Sequence, residues 1–172
     1  MRISPLGDHD LTRFSCGKKP LDSWLKQHAK DNDARDLSRT FVLVDDANEV
    51  VGYYSLTTGG VSPDDLPEDY ADGPPVYERG MVLLGRLAIA ESIQRMGYGR
   101  DLLFDAFARA VESSDIAASQ FIAVDPIDAE ARVFYAEFGF DEIAGDEGER
   151  MFLRMDEVRD ALSEGPDPDE FA

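Results

Sequence analysis

Apolar side chains follow two rhythms along this chain, and the rhythm changes where glycine, proline or aspartate interrupts it. Residues 38–44 (SRTFVLV) and 50–57 (VVGYYSLT) are rich in β-branched and aromatic residues and flank the polar turn DDANE. That arrangement predicts an antiparallel hairpin. Residues 81–90 form another apolar run fit for a buried strand, and 120–124 (QFIAV) form a shorter one. Elsewhere the period lengthens. Leu102, Leu103, Ala106, Phe107, Ala110 and Val111 share one helical stripe. Leu21, Trp24, Leu25 and His28 mark an earlier helix entered through Pro20, with Asp22 or Ser23 as its cap and Lys26, Lys30 and Arg35 on its other positions. Asp128 is a good N-cap for a helix over 129–138 that stops at Gly139. Residues 140–144 and 150–155 alternate well enough for two last strands around the acidic turn 145–149, and 155–162 read as a final helix. A short first strand falls within 1–16.

The order is a hairpin, then strand–helix–strand–helix, then two strands, which predicts an α/β fold on a mixed sheet. The 172 residues fit one domain over 1–162, followed by an acidic, proline-containing tail at 163–172 expected to be disordered. Residues 58–80 hold Gly59-Gly60, prolines and acids with little periodicity, and read as a long surface loop, a lid or an insertion. No apolar stretch approaches the roughly 20 residues of a membrane span. A lone Cys16 and the absence of an apolar leader point to the cytoplasm. His9 and His28 offer no metal-ligand spacing, so no metal is expected.

Charge changes the picture. Thirty-six acids against seventeen bases give −19. Asp outnumbers Glu, and only four bases are lysine. A surface this acidic fits a salt-rich, halophilic cytoplasm, the plainer alternative being an acidic cytosolic protein. The imbalance is uneven: residues 1–40 carry net +2 and residues 79–100 net +3, while 41–78 and 101–172 are strongly negative. An acidic protein that keeps two positive segments points to an anion.

The second positive segment contains the candidate chemistry. After the 81–90 strand comes Gln94-Arg95-Met96-Gly97-Tyr98-Gly99-Arg100, a glycine turn with two arginines that opens a helix. Unpaired N–H groups at a helix start and the positive end of its dipole make such a turn an anion site. Surface solubility is the plain alternative for Arg95 and Arg100.

Gln94-x-x-Gly97-x-Gly99 between a strand and a helix resembles the acyl-CoA pyrophosphate loop of the GNAT N-acetyltransferase superfamily. Phe134-Tyr135-x-x-Phe138-Gly139-Phe140, about 40 residues downstream, resembles the F-Y-x-x-F-G-F segment of the same fold. A narrower resemblance spans nearly the whole chain. Phe14-Ser15-Cys16-Gly17, Leu21 to Leu25, Ser38 to Val42, Val51 to Leu56 and Leu83 to Ala88 look like successive segments of the acetyltransferase toxins of type II toxin–antitoxin pairs.

The resemblance implies a mostly antiparallel mixed sheet of about six or seven strands with about four helices. It implies acetyl-CoA in a cleft between splayed central strands. Main-chain atoms of Leu87, Ala88 and Ile89 then hold the pantetheine arm, and Gln94, Arg95, Met96, Gly97, Tyr98, Gly99 and Arg100 hold the pyrophosphate. The implied acceptor is the α-amino group of aminoacyl-tRNA, and the implied partners are a ribbon–helix–helix antitoxin and a second copy in a homodimer. Contacts to tRNA are expected from Lys18, Lys19, Lys26, Lys30, Arg35, Arg39 and Arg86, each of which has a solvated surface charge as its plain alternative. The −19 charge departs from the commonly basic toxins. Two other readings therefore stay open: acetylation of a small amine or protein N-terminus, and a non-catalytic acyl-CoA or partner-binding module.

Tyr135 is the candidate acid for the departing thiolate; alternatively it packs in the aromatic face it shares with Phe134 and Phe138. Proton transfer from a phenol near pKa 10 to a thiolate near 8.5 is uphill by about 2 kcal/mol. No strong base is evident. An α-amine with pKa about 7.7–8.0 does not require one near pH 7.

Overall fold

The hairpin turn shows how local chemistry starts the fold. Asp45 Oδ1 accepts from the N–H groups of Ala47 and Glu49, and Asn48 takes the left-handed region at φ 62°. Asx-turn geometry of this kind suits Asp and Asn. The turn joins β2 (Arg39–Val44) to β3 (Val50–Val61), paired antiparallel from Arg39↔Leu56 to Val44↔Val50. β1 (Arg2–Pro5) adds antiparallel on the far side of β2, with Ile3 opposite Leu43.

The computed structural model describes residues 1–66, 68–71, 73–74, 77–142 and 150–165. β4 (Arg79–Ile89), α3 (Tyr98–Ile116), β5 (Phe121–Val124), α4 (Ala129–Glu137), β6 (Asp141–Glu142), β7 (Met151–Arg154) and α5 (Met155–Glu164) complete it after α1 (Lys19–Gln27) and α2 (Ala29–Ala34). The strands form an open mixed sheet ordered β1-β2-β3-β4-β5-β7-β6. Among the described residues, seven strands and five α-helices match the expected architecture, with one helix more than anticipated. The acidic turn expected at 145–149 and residues 166–172 of the tail lie outside the described residues. Among those described, no helix is long and apolar enough to cross a membrane.

The extra helix comes from a break at His28. The sequence predicts one helix running on to Arg35, but α1 stops and α2 restarts. The cap also differs from expectation. α1 begins at Lys19, with Pro20 in its first turn, where a missing N–H costs nothing. Asp22 therefore lies inside the helix, and its carboxylate accepts from the Cys16 N–H at 2.8 Å.

Two units divide the chain. The first comprises Met1–Thr57 and Leu84–Ala106, the second Thr58–Leu83 and Phe107–Ala172. In the first, Tyr53 and Tyr54 are fully buried on β3. The Tyr53 hydroxyl donates to the Leu21 carbonyl at 2.9 Å, and the Tyr54 hydroxyl donates to the Asp105 carboxylate. Buried phenols usually find such partners. Gly52 precedes them on the strand, where a Cβ would come within 2.9 Å of Ile89 Cδ1 and 3.3 Å of the Ala88 carbonyl oxygen.

In the second unit, β7 pairs antiparallel with both β5 and β6. Phe121, Ala123, Phe152 and Met81 form a core with Val61 and Leu66, against which Tyr70 and Ala71 pack. The segment expected to be a surface loop at 58–80 is thus partly built in. β3 continues through Gly59-Gly60 to Val61, and Cβ atoms at these glycines would come within 2.8 Å of the Met81 side chain and 2.7 Å of the Glu78 side chain. Leu66 is buried, and the Tyr70 hydroxyl donates to Asp141.

At Gly80 on β4 the close neighbour is main chain. A Cβ there would approach the Ala118 carbonyl oxygen to 2.7 Å, beside the 2.7 Å bond from the Gln120 N–H to the Gly80 carbonyl. Gly80→Ala is expected to cost about 1–3 kcal/mol through overpacking against a backbone that cannot rotate away. Urea unfolding measures it as a lower midpoint at constant m, and an unchanged midpoint would refute the close approach.

Candidate active site

β4 ends at Ile89, and a short 3-10 turn at Glu91–Ile93 leads into the glycine turn. Gln94 is extended, Arg95 sits at φ 61° and Gly97 at φ 89°, and α3 begins at Tyr98. Two left-handed residues separated by one reverse the chain tightly enough to start the helix. The N–H groups of Arg100 and Asp101 both point to the Gly97 carbonyl, at 3.0 and 3.3 Å. Tyr98 and Gly99 fall in the first turn, where N–H groups lack an intrahelical acceptor. Free N–H groups at such a helix start can receive an anion.

Gln94 has a role the sequence did not reveal. Its Nε2 donates to the carbonyls of Cys16 and Ile89, each at 2.9 Å. Glu91 adds two further stitches to the same segment: its N–H donates to the Ser15 carbonyl at 2.9 Å, and its carboxylate accepts from the Ser15 hydroxyl at 3.0 Å. Gly17, at φ 82°, packs against the Glu91 side chain. The turn is therefore pinned to residues 15–17, which run directly into α1. The Ile89 carbonyl, part of the main chain at 87–89 expected to hold the pantetheine arm, already accepts from Gln94, and the Ala90 N–H is spent on Val51. Leu87, Ala88, Ile89 and the 94–100 turn are nevertheless contiguous within the first unit.

The predicted acceptor-binding cations also lie in the first unit, and the structure sorts them. Arg35 pairs with Asp31 at 3.0 Å, and Arg39 pairs with Asp33 and Asp36, which raise its pKa further. Lys19, Lys26 and Lys30 are exposed. Among the described residues, none of these three lysines has a carboxylate within ion-pair distance. With Lys18 they are all the lysines in the chain. Arg86 is half-buried on β4, with its guanidinium carbon 4.1 Å from the centre of the Trp24 ring.

Tyr135 belongs to the second unit, on α4, where Asp128 caps the helix by accepting from the Ala131 N–H at 2.9 Å and Gly139 ends it at φ 85°. The side chain is 6% exposed, with the Phe134 ring 5.3 Å and the Phe140 ring 5.5 Å away, both edge-on. Burial drives its pKa well above the ordinary phenol value. Among the described residues its hydroxyl has no hydrogen-bond partner.

This strand, pinned glycine turn and helix belong to a known class. The chain is a member of the acetyltransferase (GNAT) family, whose profile it matches over residues 8–140. It is an N-acetyltransferase. Its likeness extends to a narrower group: it is 36% identical over 156 residues to the tRNA-acetylating toxin of Mycobacterium tuberculosis (strain ATCC 25618 / H37Rv), spanning 87% of this chain and 89% of that one. AtaT complexed with acetyl-methionyl-tRNAfMet superposes with a TM-score of 0.84 at 26% identity, covering 92% of this chain and 96% of AtaT. AtaTR bound with acetyl-CoA gives 0.82 at 27%, covering 92% and 95%.

Proposed function

We propose that this chain transfers acetyl from acetyl-CoA to the α-amino group of an aminoacyl-tRNA, as the toxin of a toxin–antitoxin pair. One observation carries the reading: a pinned anion turn at 94–100 in a chain similar over nearly its full length to a tRNA-acetylating toxin. The N–H groups of the turn, with Arg95 and Arg100, take the pyrophosphate, and the main chain at 87–89 takes the pantetheine arm. The neutral amine attacks the thioester carbon, the C–N bond forms and the C–S bond breaks. Tyr135 gives its proton to the departing thiolate, the nitrogen of the tetrahedral adduct loses its proton to water to leave the neutral amide, and the Tyr135 phenolate takes a proton back from solvent. A ribbon–helix–helix antitoxin and a homodimer belong to the same proposal.

A second reading is acetylation of a small cationic amine, which the −19 charge favours. Labelled acetyl-CoA incubated with charged total tRNA and a panel of small amines at high salt decides between them. Label in tRNA is the expected outcome, and label in the amines alone reverses the choice.

Lys19, Lys26 and Lys30 supply phosphate contacts in this reading, and Arg35 and Arg39 contribute less because carboxylates already hold them. The triple change of the lysines to Gln is expected to raise KM for charged tRNA by tenfold or more. The slope of log KM against log salt should flatten by roughly one unit for each phosphate no longer neutralised. Steady-state kinetics at several salt concentrations test this, and an unaltered slope would sink the assignment.

A further inference from the structure

Arg86 is the cation whose surroundings an ordinary structural role leaves unexplained. The chain holds thirty-six carboxylates, and several of its arginines pair with them: Arg13 with Glu49, Arg132 with Glu142, Arg150 with Asp125 and Arg159 with Asp115. Arg86 does not. Among the described residues it has no ion pair and no hydrogen bond, and its guanidinium rests instead on the indole of Trp24. It is also half-buried, and burial lowers its pKa with no carboxylate opposing. A partly desolvated charge without a counter-ion is costly, and a purely structural arginine would be expected to settle on one of the many acids.

The indole beneath it is fixed. Trp24 is 8% exposed and stacks on Tyr53 at 5.9 Å and 14°. Phe14 meets the Tyr53 ring edge-on at 5.4 Å, and the Tyr53 hydroxyl is tied to α1 through the Leu21 carbonyl. The platform is thus anchored from both strand and helix. A guanidinium lying against an aromatic face uses its π surface, and its five N–H donors remain in its own plane. That fork matches two oxygens of one phosphate, a fit an ammonium cannot reproduce.

We propose that Arg86, held on Trp24, is a binding site for a backbone phosphodiester of the acceptor nucleic acid. This rests on the aminoacyl-tRNA reading and deepens it, by making one residue the reader of the acceptor's nucleic-acid part as distinct from its amino acid. The cofactor's pyrophosphate has its own donors at the 94–100 turn, whereas Trp24 belongs to α1, the helix that carries Lys19 and Lys26.

The test compares two acceptors with the same amine and different phosphate content: charged total tRNA and a panel of amino acid methyl esters. Arg86→Gln is expected to raise KM for charged tRNA ten- to a hundredfold. KM for acetyl-CoA should stay within about threefold, and so should kcat/KM on the esters. Its salt slope on tRNA should fall by about one. Arg86→Lys should recover only part of the loss, since it restores charge without the fork. Thermal unfolding of each variant reads out a merely structural role.

An equal loss on tRNA and esters, or a loss that tracks a lowered unfolding midpoint, overturns the phosphate assignment. A rise in KM for acetyl-CoA alone moves Arg86 to the cofactor and overturns it as well. If wild-type enzyme labels tRNA and Arg86→Gln labels it equally, this inference fails and the function stands. If wild type labels the esters and never tRNA, both fall.

Discussion

Tyr135→Phe is expected to lower kcat by roughly 10²- to 10⁴-fold, the usual span for losing a positioned general acid, with little change in KM for acetyl-CoA. The fold should tolerate it well. The ring keeps its edge contacts with Phe134 and Phe140, and the hydroxyl has no partner among the described residues to leave stranded. The lost turnover should therefore not be accompanied by lost stability, which is the condition for interpreting kcat. If Tyr135 only packs, the variant turns over normally.

Burial adds a pH signature to that experiment. It drives the Tyr135 pKa well above the ordinary value, so the proton to be donated stays in place throughout the working range. The rate should rise as the acceptor amine deprotonates near pH 7.7–8.0 and then hold level, with no descending limb until above about pH 10. A fall near pH 8–9 would indicate a different acid. The same shift has a stability consequence. With its folded pKa raised above the unfolded value of about 10, neutral Tyr135 contributes stability that is fully present below that pH and lost as pH rises beyond it. The uphill step of about 2 kcal/mol for an ordinary phenol is a lower bound for this buried one.

What could be read from the sequence was local. The Asp45–Glu49 turn, the Asp128 cap and the Gly139 stop act within a few residues, and all three do what their side chains imply. The strand–turn–helix at 81–100 was legible for the same reason. Glycine misled at 59–60, where it marks side chains crossing a continuing strand and not the end of one. Asp22 misled because a cap and a reach back to Cys16 use the same residue type. The pairing of Arg35 with Asp31 follows the i, i+4 spacing of a helix, whereas Arg39 meets Asp36 across a turn that no helical spacing describes. The bonds joining Ser15 to Glu91 and Cys16 to Gln94 span 76 and 78 residues. No spacing rule connects positions so far apart; only the folded chain does.

Those long-range bonds support the second large prediction, that Gln94→Glu raises KM for acetyl-CoA by roughly 30- to 100-fold and lowers kcat much less. The substitution keeps the length and shape of the side chain but replaces a double donor with an acceptor facing the Cys16 and Ile89 carbonyls. Each lost bond to a carbonyl costs on the order of 1 kcal/mol at a partly exposed site, and the new charge opposes the pyrophosphate besides. Loss in KM with kcat retained marks binding that ground state and transition state share. Gln94→Ala separates a brace from a direct ligand. If Gln94 touches the cofactor itself, the cofactor-free protein should not notice its removal. If it pins the turn, hydrogen exchange over residues 90–97 should accelerate in the absence of any cofactor, and the change should extend to residues 15–17 on the other side of the stitch. Protection unchanged in both segments would return Gln94 to the cofactor and leave Glu91 alone to hold the turn.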